Sequence, residues 1–252
     1  MKRLFYCGIM ALLLLNACSW LQEKEEKPAD VLIKEGVAAF NEGDYDDAIE
    51  AFEQLRDWYP FSKYAILAEL KIADAHFALG HYEEAVFAYE EFEQLHPRNE
   101  AIAYVIYQIG LCHFNRIDTV DRDQTSAQKS LDTFKRLQRQ FPDDAYAHSA
   151  SDHISSSLQS LAGHDFYVGM HYYKGKHFKA ALERFRSVVT QYPDVGLHAQ
   201  ALSYIANCEA HLSEALIAQE AADSGAKPEE DGRKAKDKEA PVASDQPVNE
   251  DG

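Results

Sequence analysis

The chain reads as an all-α solenoid of about four to five stacked helix pairs closed by a C-terminal capping helix. Three observations predict this. The first is a recurring skeleton: Gly43, Tyr45, Ala48, Phe52, Leu55 and Pro60 return, each displaced by 37 positions, as Gly80, Tyr82, Ala85, Tyr89, Phe92 and Pro97. Shorter copies follow as Ser130, Phe134, Leu137 and Pro142, then as Phe178, Ala181, Phe185, Val188 and Pro193. The second is punctuation. Glycine suits the residue just past a helix C-terminus, and proline stops the next helix because it lacks an amide proton and clashes with the preceding turn. The third is the small residue at a fixed place in each copy, which lets two helices cross at close range.

Taken in order, the first pair is predicted over 30–42 and 45–58. Gly43 closes its first helix, and Asp44 stands where the second wants an N-cap. Phe52 and Tyr89 fill the gap to the following repeat. Pro142 follows Pro97 by 45 positions, so an insertion of roughly eight to eleven residues against the ~34-residue period falls around 116–124. A closing helix over 197–212 covers the last apolar face. Periods near 34 with this content are the signature of tetratricopeptide-type helix pairs. Arrays of that type bind peptides and protein surfaces, so recognition is expected rather than catalysis.

The first helix of each pair lines the inner surface of such an array. Counting back from the small residue puts Gly36, Ala73, Gly110 and Gly169 at the close contact between paired helices. Residues three before and four after that contact then face a groove: Ile33 and Phe40, Leu70 and Phe77, Tyr107 and Phe114, Phe166 and Tyr173. Most are aromatic. The set reads as an apolar groove for an extended or hairpin-like peptide with aromatic side chains. The competing reading is that individual members pack against the neighbouring repeat.

The ends differ from the body. Lys2 and Arg3 precede an apolar run from Leu4 through Leu15, too short for a comfortable permanent span. It ends in Leu15-Asn16-Ala17-Cys18, which resembles a bacterial lipobox, with residues 1–17 as signal peptide and Cys18 as the lipidated first mature residue. Ser19, not Asp, follows it, which resembles the pattern of lipoproteins passed to the outer membrane. Residues 18–29 form a polar tether, 30–212 the repeat domain, and 213–252 a mostly disordered acidic tail with too little apolar surface to offset its ordering entropy.

Acidic residues number 42 against 25 basic ones, for a formal net charge of −17. Nucleic-acid binding rests on basic patches, and the sequence shows none. With Cys7 in the signal and Cys18 taken by lipid, Cys112 and Cys208 remain on apolar helices, more in the manner of buried small residues than of a bonded pair. No His-Glu-x-x-His, phosphate loop or Gly-x-Ser-x-Gly is present. His164 and His171 could share a helical face, but a structural contact outweighs a metal site. No cofactor and no enzyme activity are expected. Asp121-Arg122-Asp123 falls on the insertion, as a salt-bridged turn or a partner contact.

Several stretches go beyond a generic repeat. Trp58-Tyr59-Pro60-Phe61-Ser62-Lys63-Tyr64-Ala65, Tyr104-Val105-Ile106-Tyr107-Gln108-Ile109-Gly110-Leu111, Asp121-Arg122-Asp123-Gln124-Thr125 and Leu161-Ala162-Gly163-His164-Asp165-Phe166-Tyr167-Val168-Gly169 together resemble the BamD (ComL-type) family of outer-membrane protein assembly lipoproteins. Asp165, where Glu is expected, and the long tail depart from it. The resemblance implies a lipid-anchored protein on the periplasmic face of the outer membrane that scaffolds a BamA-like barrel subunit and receives unfolded β-barrel proteins. It places substrate on the N-terminal repeats and BamA on the C-terminal ones. It also matches Arg184 to an arginine implicated in the BamA contact, an intramolecular salt bridge being the alternative. Accessory lipoproteins stay open as further partners. A periplasmic repeat adaptor for cell-wall synthesis or division, and an accessory lipoprotein for polysaccharide export, remain alternatives.

Overall fold

The computed structural model describes residues 26–223. The expected signal peptide, the expected lipidation site Cys18, the expected tether through residue 25 and the chain beyond 223 lie outside them. Among the described residues the secondary structure is helical throughout: α1 (Ala29–Glu42), α2 (Tyr45–Trp58), α3 (Ala65–Ala78), α4 (Tyr82–Leu95), α5 (Ile102–Phe114), α6 (Thr125–Gln140), α7 (Ala145–Lys174), α8 (Phe178–Gln191) and α9 (His198–Asp223). Each helix packs on its neighbours in the chain, and α5 also meets α7. That is the nearest-neighbour order of a solenoid.

The first two turns between paired helices share one geometry. Gly43 and Gly80 adopt φ of 89° and 76°. The amide after each closes back on the helix, Asp44 onto Ala39 and His81 onto His76, each at 2.9 Å, as a left-handed C-terminal residue allows. Lys176 takes the same place in the last pair with φ 60°, and His177 N–H donates to Tyr172 at 2.9 Å. Asp44 occupies the N-cap position of α2, but its carboxylate makes no cap hydrogen bond. Its ψ of 67°, set by the turn, is not the extended value of a capping residue. Asp144 does cap α7, accepting from the Tyr146 amide at 2.8 Å.

Ala48, Ala85 and Ala181 are fully buried. The inner small residues, however, face a different partner from the one expected. A Cβ on Gly36, Gly110 or Gly169 would stand 2.5, 2.5 and 2.8 Å from the rings of Phe52, Phe134 and Phe185. These glycines therefore seat the large aromatic of the second helix, not its small residue. The aromatics are the anchors of the stack, because fully burying one stabilises by ~1.5–3 kcal/mol.

Helix α7 runs unbroken for 30 residues, so the first helix of the fourth repeat is continuous with the segment before it. The N-terminal half of α7 packs on α6 and α5, and its C-terminal half on α8. The closing helix, expected to end at 212, runs longer. Helix α9 continues to Asp223, because Ser-Glu-Ala-Leu-Ile-Ala-Gln-Glu-Ala-Ala-Asp is rich in strong helix formers even though it is largely exposed. Both Cys112 and Cys208 are free and buried.

Candidate functional site: the inner aromatic face and the insertion loop

Helical spacing brings the expected groove residues to one side of the first helices, but not to equal exposure. Ile33 is a correction. Only 7% exposed, it belongs to the core formed by Leu32, Phe52, Leu55 and Ile72, because α1 turns that position toward α2 and α3. Phe40, Leu70, Phe77, Tyr107 and Phe114 are half-buried and pack on the edges of the cores. Phe40 and Phe77 meet Tyr45 and Tyr82 edge-on, with ring centroids 5.3 and 5.6 Å apart. The tyrosine after each turn glycine thus holds the aromatic that ends the preceding helix. Lys71 lays its ammonium over the Phe40 ring at 4.6 Å, a contact that desolvation strengthens.

Farther along, this face is covered from within. His153 of α7 lies 4.6 Å from the Phe114 ring and 5.2 Å from that of Phe134, and its Nε2 is 3.3 Å from the Tyr107 hydroxyl. Tyr146 packs on Tyr107 at 5.3 Å. In the last repeat Tyr204 of α9 covers Phe166 and Tyr173 at 5.8 and 5.1 Å. The available stretch is accordingly the N-terminal one, around Phe40, Leu70 and Phe77. A separate cavity of about 680 Å³ lies between α1 and α2, lined by Leu32, Glu35, Ala39, Glu50, Ala51 and Trp58, and does not include the aromatic row.

Two buried carboxylates, Asp74 and Asp165, organise the repeats. Asp74 accepts from Tyr89 at 2.8 Å, Tyr104 at 2.7 Å and Lys71 at 2.8 Å. Burial and this carboxylate together push the Tyr89 phenol well above its usual range. Asp165 accepts from Arg184 at 3.0 Å, Ser187 at 2.7 Å and Tyr192 at 3.2 Å. Burial first, then Asp165, pushes Tyr192 up to about 12. The readable signal was an acid directly after Ala73, on the buried side of α3. Arg184 therefore makes the intramolecular pair, yet its side chain stays 48% exposed.

Asp121, Arg122 and Asp123 are exposed on the loop between α5 and α6. The loop is a hydrogen-bonded turn, not a salt-bridged one. Thr119 donates to Asp121, and the Thr125 amide to Asp123 at 2.9 Å. These bonds hold both carboxyls below the usual range. The loop is pinned to α7: Ser160 donates to Gln124 at 2.7 Å, and His164 Nδ1–H donates to the Val120 carbonyl at 2.7 Å. Gly163 leaves room for Val120, whose methyl would lie 2.9 Å from a Cβ there. His164 is thus a structural contact. Among the described residues no acid, cysteine and histidine cluster suits a metal, and no helix is long and apolar enough to cross a membrane.

Comparison with known proteins matches residues 25–224 to a family model described as outer membrane lipoprotein, YfiO. Several relatives carry the name outer membrane protein assembly factor BamD. That of Rickettsia prowazekii is 31% identical over 182 residues, spanning 71% of this chain and 72% of its own length. That of Vibrio cholerae is 29% identical over 206 residues, spanning 77% and 85%. That of Caulobacter vibrioides is 28% identical over 168 residues, spanning 67% of this chain and 55% of its own length. A solved thermophilic TPR protein of Thermus thermophilus covers 71% of this chain at 18% identity with a TM-score of 0.39.

Proposed function

The chain belongs to the YfiO family of outer membrane lipoproteins, and on that premise we propose that it is a non-enzymatic assembly factor for outer-membrane proteins. In this reading Cys18 carries the lipid that holds it to the periplasmic face of the outer membrane. The N-terminal repeats receive unfolded β-barrel proteins, and the C-terminal repeats scaffold a BamA-like barrel subunit. The observation that carries the reading is the half-buried row of Phe40, Leu70 and Phe77. Such a row offers shallow aromatic seats to an extended strand ending in an aromatic residue, the binding energy coming from apolar burial.

For the barrel subunit, Arg184 is the proposed contact. One guanidinium nitrogen is engaged by Asp165, and the half-exposed remainder keeps donors for a carboxylate. Pairing with a buried acid fixes the direction of those donors. The loop at Asp121, Arg122 and Asp123 is a second proposed contact. Its turn is preformed and pinned to α7, so presenting it to a partner costs little ordering entropy. Accessory lipoproteins are further partners in this reading.

Co-purification from membranes tests it. Wild-type protein should bring down a BamA-like subunit, Arg184→Glu should lose most of it with helix content intact, and Cys18→Ser should move the protein to the soluble periplasm. Recovery of cell-wall synthases or an export channel instead would replace the proposal with one of those functions.

A further inference from the structure

The outer side of the first two repeats carries a second cleft, independent of the substrate reading. Ile72 and His76 of α3 line its base. At ~100° per residue Ile72 stands about 160° around α3 from Leu70, so this cleft and the aromatic face lie on opposite sides of one helix. Glu53 and Arg56 of α2 form one wall and Glu84, Phe87 and Glu91 of α4 the other, around about 420 Å³. A narrower stretch continues past Glu91 to Leu95.

Two independent observations mark this cleft. Phe87 and Leu95, on one row of α4, are left 69% and 59% exposed. The solenoid does not use them, and large exposed apolar side chains gathered at a cleft mark contact surfaces. The second observation is charge. Glu53, Glu69, Glu84 and Glu91 all line the cleft. Arg56 is drawn off to Asp57 at 2.8 Å and Glu53 at 3.9 Å. Glu84 faces His76 and Glu91 faces Arg56 across the cleft, but neither closes a hydrogen bond or ion pair with it, and the cleft's carboxylates outnumber its one arginine. An apolar floor between acidic walls complements a segment that is apolar on one side and cationic at its margins. Glu84 and Glu91 are two helical turns apart, ~10 Å along α4. That separation matches cations two turns apart on a helix lying alongside.

We propose that this outer cleft docks a cationic amphipathic helix of a partner protein. Lys or Arg side chains two turns apart pair with Glu84 and Glu91, and an apolar side chain between them seats on Ile72 and Ala88 between Phe87 and Leu95. This is the helix-in-groove mode of recognition, on the side of the array away from the aromatic face.

The probe is a fluorescent peptide of ~16 residues on an alanine and glutamine background, long enough to fold on a surface. It carries lysines two turns apart and two leucines between them on the same side, and a second peptide has glutamate in place of lysine. Anisotropy titrations use the full chain. The lysine peptide should bind saturably, and the glutamate peptide at least about tenfold more weakly. Glu84→Lys with Glu91→Lys should weaken the lysine peptide by at least about tenfold, and Phe87→Ser should weaken it too. Glu214→Lys with Glu220→Lys on α9 makes the same charge change elsewhere and should leave the affinity unchanged, as should Phe77→Ala. The proposal is overturned if the α9 reversal weakens binding as much, since general acidity would then be the cause. It is equally overturned if Phe77→Ala abolishes binding, if the α4 reversal has no effect, or if no saturable binding occurs. Circular dichroism checks that each variant is folded. Should the double reversal unfold, Glu91→Gln decides by the same comparison.

Discussion

Replacing Gly110 with alanine turns the packing argument into a question of sign. In a helix interior such a change ordinarily favours the helix by about 0.8–1 kcal/mol, because alanine loses less backbone entropy. Gly110 lies inside α5, so propensity alone predicts a more stable protein. The structure predicts the opposite. A Cβ at Gly110 would stand 2.5, 2.7 and 2.8 Å from Cε1, Cζ and Cδ1 of Phe134. That ring is fully buried, stacked on His153 at 5.2 Å and packed by Tyr107 at 5.7 Å, so it has nowhere to retreat. Overpacking of this kind costs roughly 1–3 kcal/mol. The expected net result is a destabilisation of up to about 2 kcal/mol, read by urea unfolding followed by circular dichroism. Gly163→Ala in α7 is the control. Its contact is Val120 on an exposed loop, which can shift, so the loss should be much smaller. Combining Gly110→Ala with Phe134→Leu should recover part of the loss, with a coupling of about 1 kcal/mol between the two sites. A Gly110→Ala protein that is more stable than wild type by about 1 kcal/mol would refute the seating of Phe134 on Gly110.

Three further outcomes follow from the same geometry. Lys176→Gly should leave the fold intact and raise stability by up to about 1 kcal/mol, since lysine bears the left-handed φ that glycine adopts freely at Gly43 and Gly80; a lower melting temperature contradicts this. Burial first, then Lys129 and Arg116, lowers the His113 pKa to about 4, so its neutral form is favoured in the fold. The stability linked to it is present above the unfolded value of ~6.5 and is lost as pH falls toward 4, by at most roughly 3 kcal/mol. His113→Gln should flatten that part of the stability-against-pH curve, and an unchanged slope would count against it. Burial pushes the Cys112 thiol up to about 12 and raises Cys208 as well, so both should resist alkylation until the protein is unfolded. A mass showing Cys112 bonded to Cys208 would contradict the free, buried pair.

The repeat was legible because its determinants are local. Gly43, Gly80 and the prolines act on their own backbone, and Ala48, Phe52 and Leu55 repeat at helical spacing. What the sequence hid depends on contacts between elements. Nothing in residues 145–174 breaks a helix, but the repeat period alone does not say that the segment after Pro142 and the first helix of the fourth repeat join in one. Gly36, Gly110 and Gly169 were rightly placed at a close approach, but only coordinates show that an aromatic ring is the neighbour. Ile33 fits the groove by spacing and is nonetheless core, because α1 is the first helix and buries that position against α2 and α3. Asp74 reads as an ordinary helix acid, and Asp165 only as a departure from the family pattern. Their importance lies in donors fifteen to thirty residues away, which no local pattern announces.

The central claim is that the N-terminal aromatic face receives the end of an unfolded barrel protein. Its most direct test is the affinity of the full chain for a peptide copying a barrel's C-terminal strand with an aromatic last residue, measured by anisotropy for wild type and Phe77→Ala. The account predicts saturable binding that falls by about tenfold in the variant, while the melting temperature stays close to wild type and Tyr167→Ala, an exposed aromatic of α7, has no effect. Equal affinity for wild type and Phe77→Ala, with both proteins folded, would contradict it.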